Sequence, residues 1–314
     1  MRTHNVVTLT MNPALDLSAE AEKIEPIHKL RCTAVRRDPG GGGINVARVV
    51  RRLGGEVSAI YPIGGAMGDL LERLMHAEGI HSVTIRIAGE TREDFTALDR
   101  SSNRQYRFVM PGPELSPDEV ARCLEALNLG EARQEFVVAS GSLPPGVPAA
   151  FYADLAKAAK RCGAKTILDT SGPALRAALD EGVWLVKPNL RELVELTGKP
   201  LFDEGARLAA ARKIITQGNA EIVALSLAER GARLMTRDKA WTAHIPAITP
   251  LSTVGAGDSF VGALTWCLAR HTSLPEALRY AVAAGTAALL SHGTELCHAE
   301  TVQQLLPKVI VEEI

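Results

Sequence analysis

The C-terminal two-thirds of the chain alternates short unbroken apolar runs with longer stretches whose apolar residues recur every three or four positions. FVVAS (136–140) precedes VPAAFYADLAKAAKRCG, TILD (166–169) precedes PALRAALDEG, and WLVKP (184–188) precedes LRELVELTG. EIVALSL (221–227) follows RLAAARKIITQG. A strand buried on both faces reads as a continuous apolar run, and an amphipathic helix as a 3.6-residue period. Their alternation predicts an α/β fold with a mostly parallel central sheet flanked by helices. NVVTLT (5–10) is the first strand.

Two segments have a different period. HKLRCTAVRRD (28–38) and EDFTALDRSSNRQYRFVM (93–110) alternate polar and apolar residues, and a Ser-Ser-Asn-Arg turn divides the second into a hairpin. They predict a small β-sheet insertion, about 13–37 and 92–110, lying over a single domain of residues 1–314 as a lid, a dimer surface or both. The C-terminal third is helical. Ser273-Leu-Pro-Glu276 combines an N-cap serine, an early proline and a capping-box glutamate. The Ala-rich helix after it, with Gly285, leaves room for a backbone or a flat ligand.

Composition acts mainly by exclusion. The 314 residues suit one large domain with an insertion or two modest ones, and a formal net charge of -1 argues against nucleic acid as the main ligand. No run of 18 apolar residues predicts a membrane span, and the N-terminus lacks a signal-peptide pattern. The five scattered cysteines form no C-x-x-C pair. Together these predict a cytoplasmic protein.

STVGAGDSFVGALTWCLA (252–269) is the most informative stretch. A Gly-rich turn at a helix N-terminus presents free N–H groups and a positive dipole end, an anion site suited to a moving phosphoryl group. Asp258, in the first turn, can accept the proton of an attacking hydroxyl there. The plainer reading is a tight turn with a charge-compensated helix start.

Other segments add partners. DPGGGGIN (38–45) opens a helix but fits neither the G-x-G-x-x-G dinucleotide spacing nor a P-loop. Its amides and Asn45 suit sugar hydroxyls. Asp16, just past the first strand, is either an acceptor for sugar hydroxyls or a turn acid. Lys29 and Arg31 share one face of a predicted strand, and Arg92 and Arg107 bracket the hairpin. Several basic residues on one small sheet suit a phosphate carried by the acceptor, though each alone reads as solubilising. Lys187-Pro-Asn189-Leu-Arg-Glu192 reads as a water-mediated Mg²⁺ site, a capping box, or both. Ser226 to Gly231 follows a strand, where nucleotides bind in α/β sheets, and is otherwise a strand-to-strand turn. The histidines show no metal spacing.

In this order these pieces resemble the PfkB-type carbohydrate kinases, the ribokinase-like family, over essentially the whole chain. TVGAGDS (253–259) is similar to the family's catalytic signature. It implies Asp258 as the base and the Gly255, Ala256 and Gly257 amides as the anion hole. Asn189-x-x-Glu192 is similar to the family's magnesium motif. KLRCTA (29–34), PGGGGINVAR (39–48), QYRFVMPG (105–112), SGSLPPG (140–146) and STVGAGDS resemble the members that phosphorylate fructose 6-phosphate at C1. Members acting on fructose 1-phosphate or tagatose 6-phosphate usually carry Lys in the glycine run, whereas Gly42 and Gly43 stand here. A fructose-1-phosphate or tagatose-6-phosphate kinase stays open as an alternative, and a sugar-phosphate sensor that has lost turnover is the alternative of another class.

The resemblance implies that Asp16, Gly41, Gly42, Asn45, Arg92 and Ser142 touch the sugar phosphate, with Lys29 beside them; Gly43 of the glycine run and Arg31 and Arg107 of the basic cradle are added to that site from the residue pattern. Lys187, Asn189, Ser226, Gly231, Thr253, Gly255, Gly257, Ala284 and Ala288 would line ATP. Ser252, Val254, Ala288, Ser291 and Gly293 would hold a monovalent cation such as K⁺, with Mg²⁺ accompanying ATP. A homodimer through the β lid is expected. Two positions depart from close relatives: Ala228 stands where they carry glycine, and Glu295 where one carries arginine.

Overall fold

The computed structural model describes residues 5–128, 134–245, 248–252, 254–291 and 295–314. In chain order the N-terminal half holds β1 (Val6–Leu9), β2 (Ala14–Ala21), β3 (Thr33–Gly40), α1 (Gly42–Arg52), β4 (Val57–Ile63), α2 (Gly65–Ala77), β5 (His81–Arg86), β6 (Arg92–Asp99), β7 (Arg104–Phe108), α3 (Pro117–Glu125) and β8 (Phe136–Ser140). There follow α4 (Phe151–Arg161), β9 (Lys165–Asp169), α5 (Gly172–Glu181), β10 (Val183–Val186), α6 (Leu190–Thr197), α7 (Glu204–Thr216), β11 (Ala220–Ser226), β12 (Ala232–Met235) and β13 (Ala240–His244). The chain ends with α8 (Ala256–Ala269), α9 (Leu274–Leu289), α10 (Ala299–Leu305) and β14 (Ile310–Glu313).

The large sheet has ten strands in the order β14-β13-β12-β11-β10-β9-β8-β1-β4-β5. It is parallel from β5 to β11 and antiparallel beyond. Successive residues of a strand face opposite sides. In β8, Val138 therefore enters the core under α1, α8 and α9, while Val137 and Ala139 enter the core under α4, α5 and α7. Burial on both faces explains why these strands read as unbroken apolar runs. Among the described residues, no helix is long and apolar enough to cross a membrane.

The second sheet has the order β3-β2-β6-β7. Its register puts Asp38, Asp16 and Asp94 in one row across the strands, and Arg36, Ser18, Thr96 and Arg107 in the next. This polar face looks toward the body of the molecule. The alternate positions Leu17, Val35, Phe95, Tyr106 and Phe108 form a mainly apolar outer face that also carries Arg37 and Arg104, with Phe95 and Phe108 stacked at 6.0 Å. Val35 and Phe108 remain 57% and 50% exposed, far more than a core would leave.

Two local expectations fail. Lys29 and Arg31 do not lie in a strand: β3 begins at Thr33, and both are exposed in the connection from β2. An extra residue in β3, at Ala34 with φ 50°, shifts the register between Ser18 and Glu20, and β2 ends at Ala21 just past the Glu20–Thr33 pair, so Lys29 and Arg31 lie beyond the ladder. Ser273 does occupy the N-cap of α9 with Pro275 in the first turn, but its side chain caps nothing.

Candidate active site

The C-terminal ends of β8, β9 and β10 converge with the N-termini of α1 and α8: Gly42 packs on Ser140, Asn45 reaches Asp258, and Lys187 reaches Asp169. Gly255 starts α8 in the left-handed region at φ 73°, and a Cβ there would lie 2.6 Å from Leu296 Cδ2. Backbone conformation and packing both require glycine at that position. Ser259 makes the first intrahelical bond, to the Gly255 carbonyl at 2.8 Å. The amides before it, from Ala256 to Asp258, are the free donors of the helix end. Gly257 differs from Gly255: its φ is not positive, and a Cβ there would meet nothing within 4 Å. The fold does not need glycine at 257, and a helix loses stability by having one.

Asp258 is linked to the opposite helix, since Asn45 Nδ2 donates to its Oδ2 at 2.8 Å. Burial, reinforced by the charge of Asp169, raises the Asp258 pKa to about 6, against the Asn45 hydrogen bond and the charges of Lys187 and Arg107. Such a carboxyl is ionised at neutral pH yet close enough to titration to take a proton. The other Asn45 atom, Oδ1, is buried with no partner. A buried acceptor of this kind calls for a donor such as a hydroxyl.

Asp16 lies on β2 among charged neighbours, and burial plus the Asp94 charge raises its pKa to about 7, opposed by Arg107, Arg92 and Arg48. Arg92 donates to both Asp94 oxygens (3.0 and 2.9 Å) and to the carbonyls of Met110 and Asn12. Its Nε and Asn12 Oδ1 are two further buried atoms without partners. Asn12 Nδ2 donates to Ser142 Oγ at 3.2 Å. Asp16, Arg92, Arg107, Asn45 and Ser142 are thus brought together around unsatisfied polar atoms. Lys29 and Arg31 are not, for among the described residues neither contacts this group.

The glycine run is shaped by packing. Gly41 has φ 109°, a Cβ on Gly42 would lie 2.4 Å from Ser140 Oγ, and one on Gly43 would lie 2.5 Å from the Leu9 carbonyl oxygen. The missing side chains let α1 start against the ends of β1 and β8, which brings Asn45 to Asp258.

On the other side, Lys187 is buried beyond β10 and pairs with Asp169 at 3.0 Å. Burial opposes its charge, yet Asp169, Glu192 and Asp258 outweigh it and raise the pKa. Asn189 and Glu192 form a reciprocal capping box, with Glu192 N–H to Asn189 Oδ1 at 2.9 Å and Asn189 N–H to Glu192 Oε2 at 2.8 Å. Burial raises the Glu192 pKa, opposed by the Asn189 N–H and Lys187. Three carboxylates around one lysine leave a negative excess that suits a divalent cation. Among the described residues no cluster of His, Cys, Asp and Glu could hold a metal by itself.

Ser226 bridges to Asn189 at the end of β11. A Cβ on Gly231 would lie 2.0 Å from the Ala243 carbonyl oxygen, so this glycine serves the β12–β13 pairing. Ala228 sits at φ 52°, the left-handed conformation that makes glycine the natural residue at this position. Ala284 and Ala288 are fully buried in the contact of α9 with α8, so neither side chain is open to a nucleotide. Gly285 belongs to that contact, its Cβ position 3.3 Å from the Ala256 carbonyl. Ser252, Val254, Ala288 and Ser291 gather near the C-terminus of α9: the Ser252 hydroxyl accepts from the Val254 N–H, and Ser291 N–H donates to the Ala288 carbonyl. Thr253 and Gly293 lie outside the described residues.

Asp169 and Asn12 were not singled out in the sequence. Asp169 ends an ordinary-looking apolar strand, and only the pairing of β9 with β8 and β10 brings it to Lys187.

Known proteins share this fold. The model of the pfkB family carbohydrate kinases matches residues 2–301. The ATP-dependent 6-phosphofructokinase isozyme 2 of Mycobacterium tuberculosis is 46% identical, covering 95% of this chain and 88% of that protein. The crystal structure of phosphofructokinase-2 from Escherichia coli in complex with potassium superposes with a TM-score of 0.92 at 42% identity, covering 96% of this chain and 98% of that one. A 1-phosphofructokinase of Xanthomonas campestris is 33% identical, covering 97% of each chain. A family match along nearly the full sequence, with the same backbone path, makes this chain a member of the pfkB family of carbohydrate kinases.

Proposed function

We propose that the chain transfers the terminal phosphoryl group of ATP to the C1 hydroxyl of fructose 6-phosphate, giving fructose 1,6-bisphosphate and ADP. The observation that carries this reading is the Asp258 carboxylate, with a pKa of about 6, fixed by Asn45 beside the free amides of α8. The identities to 6-phosphofructokinases support the choice of acceptor.

Asp258 takes the proton of the attacking hydroxyl, and Asp16 and Asn45 Oδ1 orient the sugar by accepting from its hydroxyls. Arg92 and Arg107 face the acceptor's own phosphate from the small sheet. The amides of Ala256 and Gly257 and the Lys187 ammonium lie where charge develops on the transferring group. Glu192 and Asn189 would hold Mg²⁺ through water, and the ion would supply charge neutralisation on the nucleotide phosphates. The carbonyl end of α9, with Ser252, Val254 and Ser291, would seat a potassium ion, where the helix dipole favours a cation.

The small sheet acts as a lid that excludes water from ATP. Its apolar outer face pairs with a second copy, so the chain works as a homodimer in the cytoplasm.

The decisive assay couples ADP release to fructose 6-phosphate, fructose 1-phosphate and tagatose 6-phosphate in turn. Fructose 6-phosphate gives the highest kcat/KM. A lowest value for it would move the assignment to one of the other sugars, and sugar binding with no ADP release from any of them would make the protein a sensor.

A further inference from the structure

The small sheet is tied to the body at both edges. On edge strand β7, Gln105 Oε1 accepts from the Ser252 hydroxyl at 3.3 Å. On edge strand β3, Arg36 Nη1 reaches Glu295 Oε1 at 2.7 Å, while its Nε and Nη2 hold Asp38 at 3.0 and 2.8 Å. Both anchors lie at the C-terminal end of α9, since the amides of Leu251 and Ser252 donate to the Leu289 carbonyl and Glu295 follows that helix. Arg36, Gln105 and Leu251 line one cavity of about 200 Å³ with Ser18, Glu20 and Thr96, so the ties close over a space between lid and body.

The Arg36 tie is also joined to the fixed part of the site. Asp38 Oδ1 is shared with Nη2 of the fully buried Arg48 of α1, at 3.4 Å, and Arg48 is held by Glu78 and by the Pro39 carbonyl, each at 2.7 Å. Charges thus run without a break from α1, through the root of β3 beside the glycine run, to Glu295. Asp38 pairs across the ladder with Asp16.

We propose that Arg36 is a positioning residue: clasped by Glu295, it holds the lid over the acceptor site and sets how much of the protein is competent to bind the sugar phosphate. The proposal rests on the reading of that site as a sugar-phosphate site. Losing the clasp lowers the closed fraction, and apparent affinity falls by the same factor. The Arg36 and Glu295 side chains are 42% and 23% exposed, and a pair of that kind shifts an equilibrium by about 1.5- to 5-fold.

The test uses Glu295→Gln, Glu295→Arg, Arg36→Ala and the Arg36→Ala/Glu295→Arg double variant. KM for fructose 6-phosphate rises in each single variant by about 1.5- to 5-fold, most in Glu295→Arg, while kcat holds within about twofold. Amide hydrogen exchange across residues 33–40 quickens in parallel. In the Arg36→Ala background Glu295→Arg adds nothing further, the non-additivity expected of contacting residues. Unchanged exchange in Glu295→Arg overturns the proposal. So does an equal effect of Glu295→Arg with and without Arg36, which would place its action in the neighbouring cation loop. If the wild-type protein turns over none of the sugar phosphates, the functional assignment fails, and the exchange measurements still decide the clasp.

Discussion

Replacing Gly257 with alanine separates what the fold needs from what the chemistry needs. Gly257 is the second residue of α8, its φ is not positive, and nothing lies within 4 Å of where a Cβ would stand. A methyl group fits there without displacing any protein atom. Alanine is favoured over glycine in a helix interior by about 1 kcal/mol, and near a helix end we take about half of that. Gly257→Ala is therefore expected to raise unfolding stability by about 0.5 kcal/mol, read as a higher urea midpoint at unchanged slope. The same methyl would stand over the amides where the transferring phosphoryl group must sit. Loss of one such donor typically costs about 10²–10³ in rate, so ADP release should fall by that factor in the more stable protein. A stable variant with full activity would refute the placement of the anion seat at this helix end. A strongly destabilised one would refute the open geometry around Gly257.

Gly43→Ala should behave oppositely: its Cβ would lie 2.5 Å from the Leu9 carbonyl oxygen, and overpacking against backbone costs about 1–3 kcal/mol, read as a lower denaturation midpoint. Asp16 has a pKa raised to about 7, so the folded protein holds a proton there that the unfolded chain loses near pH 4. That contribution is present at low pH and is lost as pH rises through about 7. Asp16→Asn should therefore gain stability over the wild type between pH 5 and pH 8. The bare shift sets a ceiling of about 4 kcal/mol, and an effect on the order of 2 kcal/mol is expected after partial solvent screening; a difference flat with pH would contradict the raised pKa. The ascending limb of kcat/KM against pH should show an apparent midpoint between about 6 and about 7, belonging jointly to Asp258 and Asp16.

The parallel sheet was legible because burial on both faces leaves a nearly unbroken apolar run, as in Phe136–Ser140 and Val183–Val186. The hairpin of β6 and β7 was legible from its period and turn. Asp258 stood out because a glycine turn, an acid and a helix pattern follow one another locally. What lay hidden depends on distant pairing. Arg36 and Glu295 are 259 positions apart, and neither has a local pattern that points to the other. Asp169 ends a strand like any other, and its meeting with Lys187 follows only from strand order. Lys29 and Arg31 alternated correctly for a strand, but β2 ends at Ala21, just past the Glu20–Thr33 pair, and leaves them without a neighbour to pair with. Ala284, Gly285 and Ala288 show a limit of another kind. Small residues on one helix face read alike for a flat ligand and for a second helix, and here the second helix is α8.

The whole mechanism turns on a single proton acceptor at the start of α8. The most direct measurement is the turnover of Asp258→Asn with saturating ATP and fructose 6-phosphate, beside calorimetric binding of the sugar phosphate. The amide keeps the shape and can still meet Asn45, but it cannot take the proton. The account predicts a fall in kcat of about 10²–10⁴ with sugar binding retained. Turnover close to that of the wild type would contradict it.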